Sequence, residues 1–173
     1  MNTIMIIVDV EASRGPSPAT GLMTEFGAVE VKTGKSFHGV LYDATPDPSN
    51  PAVSIIAEGA VEYNRHSVMQ AFSSWIKSFD ARPVFVSDNP AYDFQWISFY
   101  FDSVGIQNPF GHSGRRIGDI YAGAMMGSGQ GSWRNATKWK QWRITPHDHN
   151  PVNDSLGNRE ALLHLLELFN QEI

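Results

Sequence analysis

The chain of 173 residues contains no cysteine, few charged residues and no long apolar run. The absence of cysteine excludes disulfide scaffolds, thiolate metal sites and cysteine nucleophiles. No stretch approaches the ~20 consecutive apolar residues that span a bilayer, and no basic residue precedes the first apolar run. We therefore expect a soluble, cytoplasmic protein without a secretory signal or a membrane partner. Hydrophobic residues make up 42% of the chain, enough for a core, and the length predicts a single domain over residues 1–173.

The net charge of −5 is unevenly distributed along the chain. Segment 115–143 contains six basic residues, one acid and three of the five tryptophans. Cations among flat aromatic rings suit a polyanion with stackable bases, and Arg134 and Lys138 are candidate contacts for such a ligand. The same pattern also fits a solvated helix face whose tryptophans turn into the core. The sequence leaves both interpretations open.

Hydrophobic periodicity predicts a mixed α/β fold. Short apolar runs predict four strands, at 4–8, 26–31, 36–42 and 83–86. The middle two should form a hairpin, because a Thr-Gly turn separates them. Apolar residues at helical spacing predict a helix over 67–79, and a short helix over 54–58 is also expected. The glycine-rich stretch 123–132 is predicted to be a mobile loop.

Two segments, 89–93 and 150–154, share the pattern N-P-x-x-D and are predicted to begin helices. Asn is a good N-cap, and Pro is preferred at the first helical position. Asp93 and Asp154 then fall in the first turn, where free N–H groups and the positive end of the helix dipole favour a carboxylate. The first helix should run to about residue 101 and the second to about residue 170.

The last predicted helix carries two further signals. Its buried stripe is expected to come from leucines or their neighbours, with Leu156, Leu163, Leu166 and Leu168 as candidates. Gly157 costs a helix about 1 kcal/mol relative to Ala. We therefore expect another group to approach the backbone closely at this position.

Asp9 and Glu11 are two positions apart at the end of the first predicted strand, so their side chains share one face. Unpaired anions at the end of a central strand are unfavourable unless a cation lies between them. With Asp93 and Asp154 they make four carboxylates without a basic partner of their own. Such a group predicts a hard divalent ion, Mg²⁺ or Mn²⁺, and two such ions about 4 Å apart can cleave phosphodiesters.

The order of these motifs resembles that of the DEDDh 3′→5′ exonucleases, which include ribonuclease T, oligoribonuclease and the polymerase proofreading exonucleases. D-x-E lies on a strand, N-x-x-[YF]-D opens a helix, and H-x-x-x-x-D opens the last helix, at residues 6–11 with 25–29, 89–93 and 149–154. The resemblance implies a ribonuclease H-like mixed central β-sheet flanked by helices. It also implies a metal-dependent exonuclease that acts on 3′ ends of single-stranded RNA or DNA, with RNA slightly favoured.

The resemblance implies catalytic roles for five residues. Asp9, Glu11 and Asp154 would bind the ion that holds the attacking water, and Asp9 would bridge to a second ion. Asp93 would complete the set, partly through water. His149 would be the general base, a role that suits imidazole because it titrates near neutrality.

The resemblance also implies substrate contacts. The backbone of Ala12 and Ser13 would hold the 3′-terminal nucleotide, and Tyr92 would line the cleft and contact the substrate. Two departures from the family pattern occur: a proline-rich loop follows Ser13, and Val152 and Asn153 precede the last aspartate where the family often has H-x-A-x-x-D. The first puts the nucleotide contacts in question, and the second is mild.

Several alternatives stay open at this point. His147-Asp148-His149 also matches part of a zinc or phosphohydrolase site, although H-x-H without a third ligand at a suitable spacing is a weak signal. The chain can also be a nucleic-acid-binding module that has lost catalysis, or a metal-dependent phosphatase of small nucleotides. Its oligomeric state is undecided between monomer and homodimer, since ribonuclease-type relatives are often dimers.

Overall fold

A mixed six-stranded sheet forms the centre of the structure, a computed structural model that describes residues 2–13, 15–41 and 61–171. In chain order its strands are β1 (Thr3–Ser13), β2 (Leu22–Glu30), β3 (Ser36–Leu41), β4 (Val61–Tyr63), β5 (Arg82–Ser87) and β6 (Gly114–Arg116). Across the sheet the order is β4-β3-β2-β1-β5-β6. β1 is antiparallel to β2 and parallel to β5, so it lies in the interior of the sheet.

Helices cover both faces of this sheet. The α-helices of the described ranges are α1 (Arg65–Lys77), α2 (Pro90–Ser103), α3 (Ile117–Gly127) and α4 (Pro151–Leu168). Two short 3-10 helices lie between α3 and α4, at Trp133–Asn135 and Lys138–Trp142. The predicted α/β class, a mixed central sheet flanked by helices, is confirmed. No helix in the described part of the chain is long and apolar enough to cross a bilayer.

Alternation along β1 divides the apolar core into two layers. Ile6 and Val8 are buried against α1 and α2, whereas Ile7 is buried on the opposite face with residues of α3 and α4. Successive side chains of a strand point to opposite faces. Asp9 and Glu11 therefore share the face of Ile7, over which α4 packs.

β1 is longer than the apolar pattern predicts. That pattern predicts a strand over 4–8 that stops at Asp9, but β1 continues to Ser13. Backbone pairing with β2 runs past Asp9 and Glu11 because the hydrogen-bond ladder does not depend on side-chain polarity. The register shifts only between Glu11 and Ala12, where a bulge interrupts the pairing.

The predicted hairpin is present as β2 and β3. In its turn Gly34 has the left-handed backbone, with φ 73°, and the Glu30 carboxylate accepts hydrogen bonds from two N–H groups of the turn. The predicted end of the second hairpin strand, residue 42, and the predicted short helix over 54–58 lie outside the described residues.

Two predicted boundaries were wrong. α1 begins two residues before the predicted range 67–79, because the Asn64 side chain caps it by accepting a hydrogen bond from the backbone N–H of Ser67, three residues along. The glycine-rich stretch 123–132 is not a loop throughout, since α3 continues to Gly127. Buried Tyr121 and its neighbours on α3 pack into the core, and this packing outweighs the low helix propensity of glycine.

The buried stripe of α4 consists of neighbours of the predicted leucines. Ala161, Leu162 and Leu165 are buried, while the predicted positions are partly buried or exposed, at Leu156, Leu163, Leu166 and Leu168. The buried residues lie 7, 8 and 11 positions after Asp154, so they share its face of the helix. The face that carries the acidic side chain is therefore the face that packs on the sheet.

Candidate active site

The four acidic side chains of the predicted motifs meet at the ends of β1, α2 and α4. One carboxylate oxygen from each of Asp9, Glu11 and Asp154 lies within 4.8 Å of the other two. Asp93, in the first turn of α2, reaches the same strand, because its Oδ1 accepts a hydrogen bond of 3.3 Å from the backbone N–H of Val10. Three motifs that are far apart in the sequence thus form one acidic cluster.

Gly27 allows α4 to approach the sheet beside Asp9. It pairs with Asp9 across β1 and β2, and a Cβ atom at this position would lie 2.3 Å from the carbonyl group of Pro151. The Ser155 hydroxyl also donates a hydrogen bond of 3.2 Å to the Gly27 carbonyl. This close approach places the first turn of α4, and with it Asp154, next to the acids of β1.

The two N-P-x-x-D segments begin helices as predicted, but their caps differ. Pro90 and Pro151 open α2 and α4. Asn150 Oδ1 accepts hydrogen bonds of 3.0 and 3.2 Å from two N–H groups of the first turn of α4. Asn89 makes no such side-chain bond; its backbone carbonyl instead accepts from two N–H groups of α2. The predicted side-chain cap at Asn89 was therefore wrong.

Burial and mutual repulsion oppose ionisation of the cluster. Burial raises the pKa of Asp9 well above its usual range, and the charges of Asp93, Asp154 and Glu11 raise it further. Burial, followed by the charge of Asp154, raises the pKa of Glu11 to about 7. Burial also raises the pKa of Asp93 to about 7, against the effect of its hydrogen bonds. These side chains hold negative charge together only at a cost in free energy.

The donor set fits a hard divalent ion. Its atoms are carboxylate oxygens, the ligands that Mg²⁺ and Mn²⁺ prefer. Asp154 Oδ2 is buried and forms no hydrogen bond of normal geometry with the described residues. Its neighbour is the half-exposed His147 imidazole, with Nδ1 2.5 Å away, and a ligand bond to a cation would replace that contact. A cation between the oxygens would also relieve the repulsion that raises their pKa values.

A basic side chain stands beside the cluster, and the expectation of four carboxylates without a basic partner was wrong. Arg143 Nη2 donates a hydrogen bond of 2.9 Å to the Asp154 carbonyl and lies 3.5 Å from Asp154 Oδ1. The predicted close approach at Gly157 is confirmed, because a Cβ atom there would lie 2.7 Å from Arg143 Nε. In the sequence Arg143 belongs to the basic segment. Gly157 indicated that some group approaches α4 closely, but not that this group is Arg143.

Two histidines lie beside the acidic cluster. His149 Nδ1 is 3.6 Å from Glu11 Oε1, and His147 Nδ1 is 2.5 Å from Asp154 Oδ2. Both side chains are more than half exposed. The motif favoured His149 over His147, but the structure brings both imidazoles to the carboxylates.

Glu160, which sequence reasoning missed, holds the segment that leads to these histidines. Its Oε2 accepts hydrogen bonds of 2.8 and 2.7 Å from the N–H groups of Ile144 and Thr145, and its Oε1 accepts one of 2.8 Å from the Thr145 hydroxyl. Residues 144 and 145 are therefore held against α4. Glu160 belongs to no motif, so no sequence pattern indicated this role.

Comparison with known proteins agrees with this arrangement. The chain is 27% identical over 182 residues to the 3′-5′ DNA exonuclease Cap18 of Escherichia coli, with 98% of this chain and 94% of the relative covered. The fold matches the crystal structure of the nuclease domain of 3′hExo, a DEDDh family member, bound to rAMP. That match has a TM-score of 0.67 at 11% identity and covers 95% of this chain and 92% of the other. The two similarities support the resemblance of this chain to the DEDDh 3′→5′ exonucleases. No protein-family model matches it.

The residues predicted to contact the nucleotide lie directly after the acids of β1. Ala12 and Ser13 continue β1 beyond the bulge and pair with Met23 and Leu22. Ser13 is buried, so its backbone rather than its side chain is accessible for such a contact. Tyr92 is half-buried beside the acidic cluster, and burial followed by the charge of Glu11 raises its pKa.

The basic segment 115–143 contains both exposed residues and residues that are buried or paired. Arg134 and Lys138 are exposed, and the Arg134 guanidinium lies 5.6 Å from the ring centroid of Trp133, whose side chain is 68% exposed. Trp139 is fully buried, and Lys140 Nζ lies 2.5 Å from Asp88 Oδ2. Trp139 is buried in the core, as the second interpretation predicts, whereas nucleic-acid binding by the exposed residues stays a prediction.

Proposed function

We propose that this chain is a divalent-metal-dependent 3′→5′ exonuclease that hydrolyses phosphodiester bonds from the 3′ end of single-stranded nucleic acid. The observation that carries the proposal is the convergence of Asp9, Glu11 and Asp154 within 4.8 Å, next to Asp93. The similarity to a 3′-5′ DNA exonuclease over nearly the whole chain supports the same reaction. The cluster lies at the ends of secondary-structure elements, a common position for active sites in α/β folds.

Four side chains would hold the metal ions. Asp9, Glu11, Asp93 and Asp154 would bind two Mg²⁺ or Mn²⁺ ions, with Asp9 shared between them. When bound, such ions lower the pKa of water and stabilise the leaving oxygen. The close approach of α4 to the sheet at Gly27 would keep the carboxylate oxygens of β1 and α4 near enough to bind the same ions.

His149 would act as the general base. Its Nδ1 faces Glu11 Oε1 at 3.6 Å, so Nε2 is the nitrogen left to accept the proton of the attacking water. The side chain is 62% exposed, which leaves room for it to follow the substrate. Arg143, close to Asp154 Oδ1, would offset part of the negative charge as the phosphate approaches.

The chemical class of the substrate is the finer part of the proposal. The sequence alone favours RNA slightly, whereas the relative that covers nearly the whole chain is named as a DNA exonuclease. We therefore propose single-stranded DNA as the first substrate to test and RNA as the second. The backbone of Ala12 and Ser13 would hold the terminal nucleotide, Tyr92 would line the cleft, and Arg134 and Lys138 would contact the phosphates upstream.

The test uses matched single-stranded DNA and RNA oligomers labelled at the 5′ end, with Mn²⁺ and with or without chelator. We expect a ladder that shortens from the 3′ end and disappears with chelator. Asp9→Asn and His149→Ala should each abolish it, a loss of at least ~10²-fold, with the fold intact by circular dichroism. Asp102→Asn, an exposed change on α2, is the matched control.

Other outcomes would replace the proposal. Near-normal turnover in either variant would contradict the assigned roles. Binding without shortening would indicate an inactive module of the same fold, an alternative favoured by one observation: Arg143 already supplies positive charge beside Asp154. Phosphate release from mononucleotides without cleavage of oligomers would indicate a phosphatase.

A further inference from the structure

Two imidazoles and a carboxylate meet at the start of α4, and the proposed reaction uses this group only in part. One ligand atom from each of His147, His149 and Asp154 lies within 4.8 Å of the other two. The two imidazole centroids are 4.5 Å apart. Nitrogen donors distinguish this group from the carboxylate cluster, because Mg²⁺ prefers oxygen ligands whereas Zn²⁺ binds imidazole well.

The backbone holds the two imidazoles on one side. His149 has a left-handed backbone, with φ 62°, which is uncommon for a residue other than glycine. Between the histidines, Asp148 is turned toward α4, where it accepts hydrogen bonds of 3.0 Å from the Asn150 N–H and 2.8 Å from the Asn153 amide. The segment is thus ordered so that its two nitrogen donors face Asp154.

The carboxylate of this group is buried and its two imidazoles are exposed, an arrangement that suits a metal site. Asp154 is fully buried, and its Oδ2 lies 2.5 Å from His147 Nδ1 without a hydrogen bond of normal geometry to any described residue. It therefore supplies a fixed anionic ligand beside that imidazole. The side chains of His147 and His149 are 51% and 62% exposed, so an ion can reach them from solvent. Ligand atoms around a tetrahedral zinc ion are about 3.4 Å apart, a spacing that small rotations of the exposed rings would give.

We propose that His147, His149 and Asp154 bind a zinc ion and that this ion inhibits the nuclease. A zinc ion on these atoms would occupy the proposed general base and a proposed ligand of the catalytic metals. Its fourth position would be left to water, as in other sites with three protein ligands. The inhibition rests on the proposed function, whereas zinc binding does not.

Calorimetric titration of the chelator-treated full chain with Zn²⁺, without nucleic acid, tests the binding. The wild type should bind one zinc ion, and His147→Ala should bind it at least about tenfold more weakly. His112→Ala, which removes an exposed histidine between α2 and β6, should bind as the wild type does. Cobalt absorption typical of tetrahedral nitrogen and oxygen ligands should be lost in His147→Ala only. Equal zinc affinity in the wild type and His147→Ala would overturn the site.

A second experiment tests the inhibition. Zinc is added to each protein in excess Mg²⁺, and the rate is compared with the same protein's rate without zinc. The inhibitory zinc concentration should be about tenfold higher for His147→Ala than for the wild type. Identical inhibition would place the zinc on the carboxylates alone and overturn the proposal. If neither protein cleaves oligomers, the proposed function fails while calorimetry still decides the zinc site.

Discussion

Glu11 and Asp93 connect the acidic cluster to the stability of the chain. Their pKa values of about 7 in the folded chain exceed their ordinary values of 4.5 and 3.8. The folded chain therefore binds more protons than the unfolded chain between about pH 4 and about pH 7, and its free energy of unfolding falls as the pH rises through this window. Without metal, the site is a source of instability at neutral pH.

We expect the Tm of the metal-free protein to fall between about pH 5 and about pH 8. Mg²⁺ should restore more of the Tm at the higher pH, because its ligands must be ionised. Glu11→Gln should flatten the metal-free profile, whereas Glu167→Gln, an exposed change on α4, should not. Thermal melts at a series of pH values make the measurement, and a metal-free Tm that rises over this range would contradict the explanation.

At the scale of secondary-structure elements, the position of α4 depends on the missing side chain at Gly27. Gly27→Ala should destabilise the fold by about 1–3 kcal/mol, because the new methyl group overlaps the Pro151 carbonyl. It should also weaken Mn²⁺ binding, since Asp154 moves away from Asp9. Gly123→Ala is the matched control: it adds a methyl group within α3 where no atom lies within 4 Å, and it should stabilise by about 0.5–1 kcal/mol.

Urea denaturation of both alanine variants measures the first effect, and Mn²⁺ titration measures the second. Equal stability of the two variants would mean that the close approach of α4 does not constrain the fold. Full Mn²⁺ affinity in a destabilised Gly27→Ala would separate the packing of α4 from the geometry of the cluster.

The secondary-structure elements also show which features of the fold can be predicted from the sequence. Both helix starts could be predicted because N-P-x-x-D reports a local conformation that tertiary packing did not change. The end of β1 could not, because Asp9 and Glu11 interrupt the apolar pattern while their backbones still pair with β2. The contacts of Arg143 and Glu160 depend on how residues 133–149 lie along α4, and no short motif encodes that path.

At the scale of the whole molecule, a nucleic acid would have to bind exposed basic side chains of a protein whose net charge is −5. Arg134 and Lys138 are exposed, whereas Lys140 and Arg143 pair with Asp88 and Asp154. Of these four basic residues, Arg134 and Lys138 therefore carry the positive charge that is available to a polyanion.

The double variant Arg134→Gln and Lys138→Gln should weaken oligomer binding and flatten its salt dependence. Losing two phosphate contacts on a single strand should reduce the slope of log affinity against log salt by about 1.4. Lys77→Gln removes one positive charge near Pro83, at the start of β5; it is the control for charge loss elsewhere on the surface and should leave the slope unchanged. Fluorescence anisotropy at several salt concentrations makes the comparison. Equal slopes in all three proteins would mean that Arg134 and Lys138 do not contact the phosphates of the oligomer.

In the sheet formed by the described residues, the two outermost strands, β4 and β6, have three residues each. So short an edge offers few free N–H and C=O groups to another chain, which protects a sheet from joining end to end with its neighbours. Two copies of this protein that associate would therefore meet through helices or loops rather than by extending the sheet across a dimer axis.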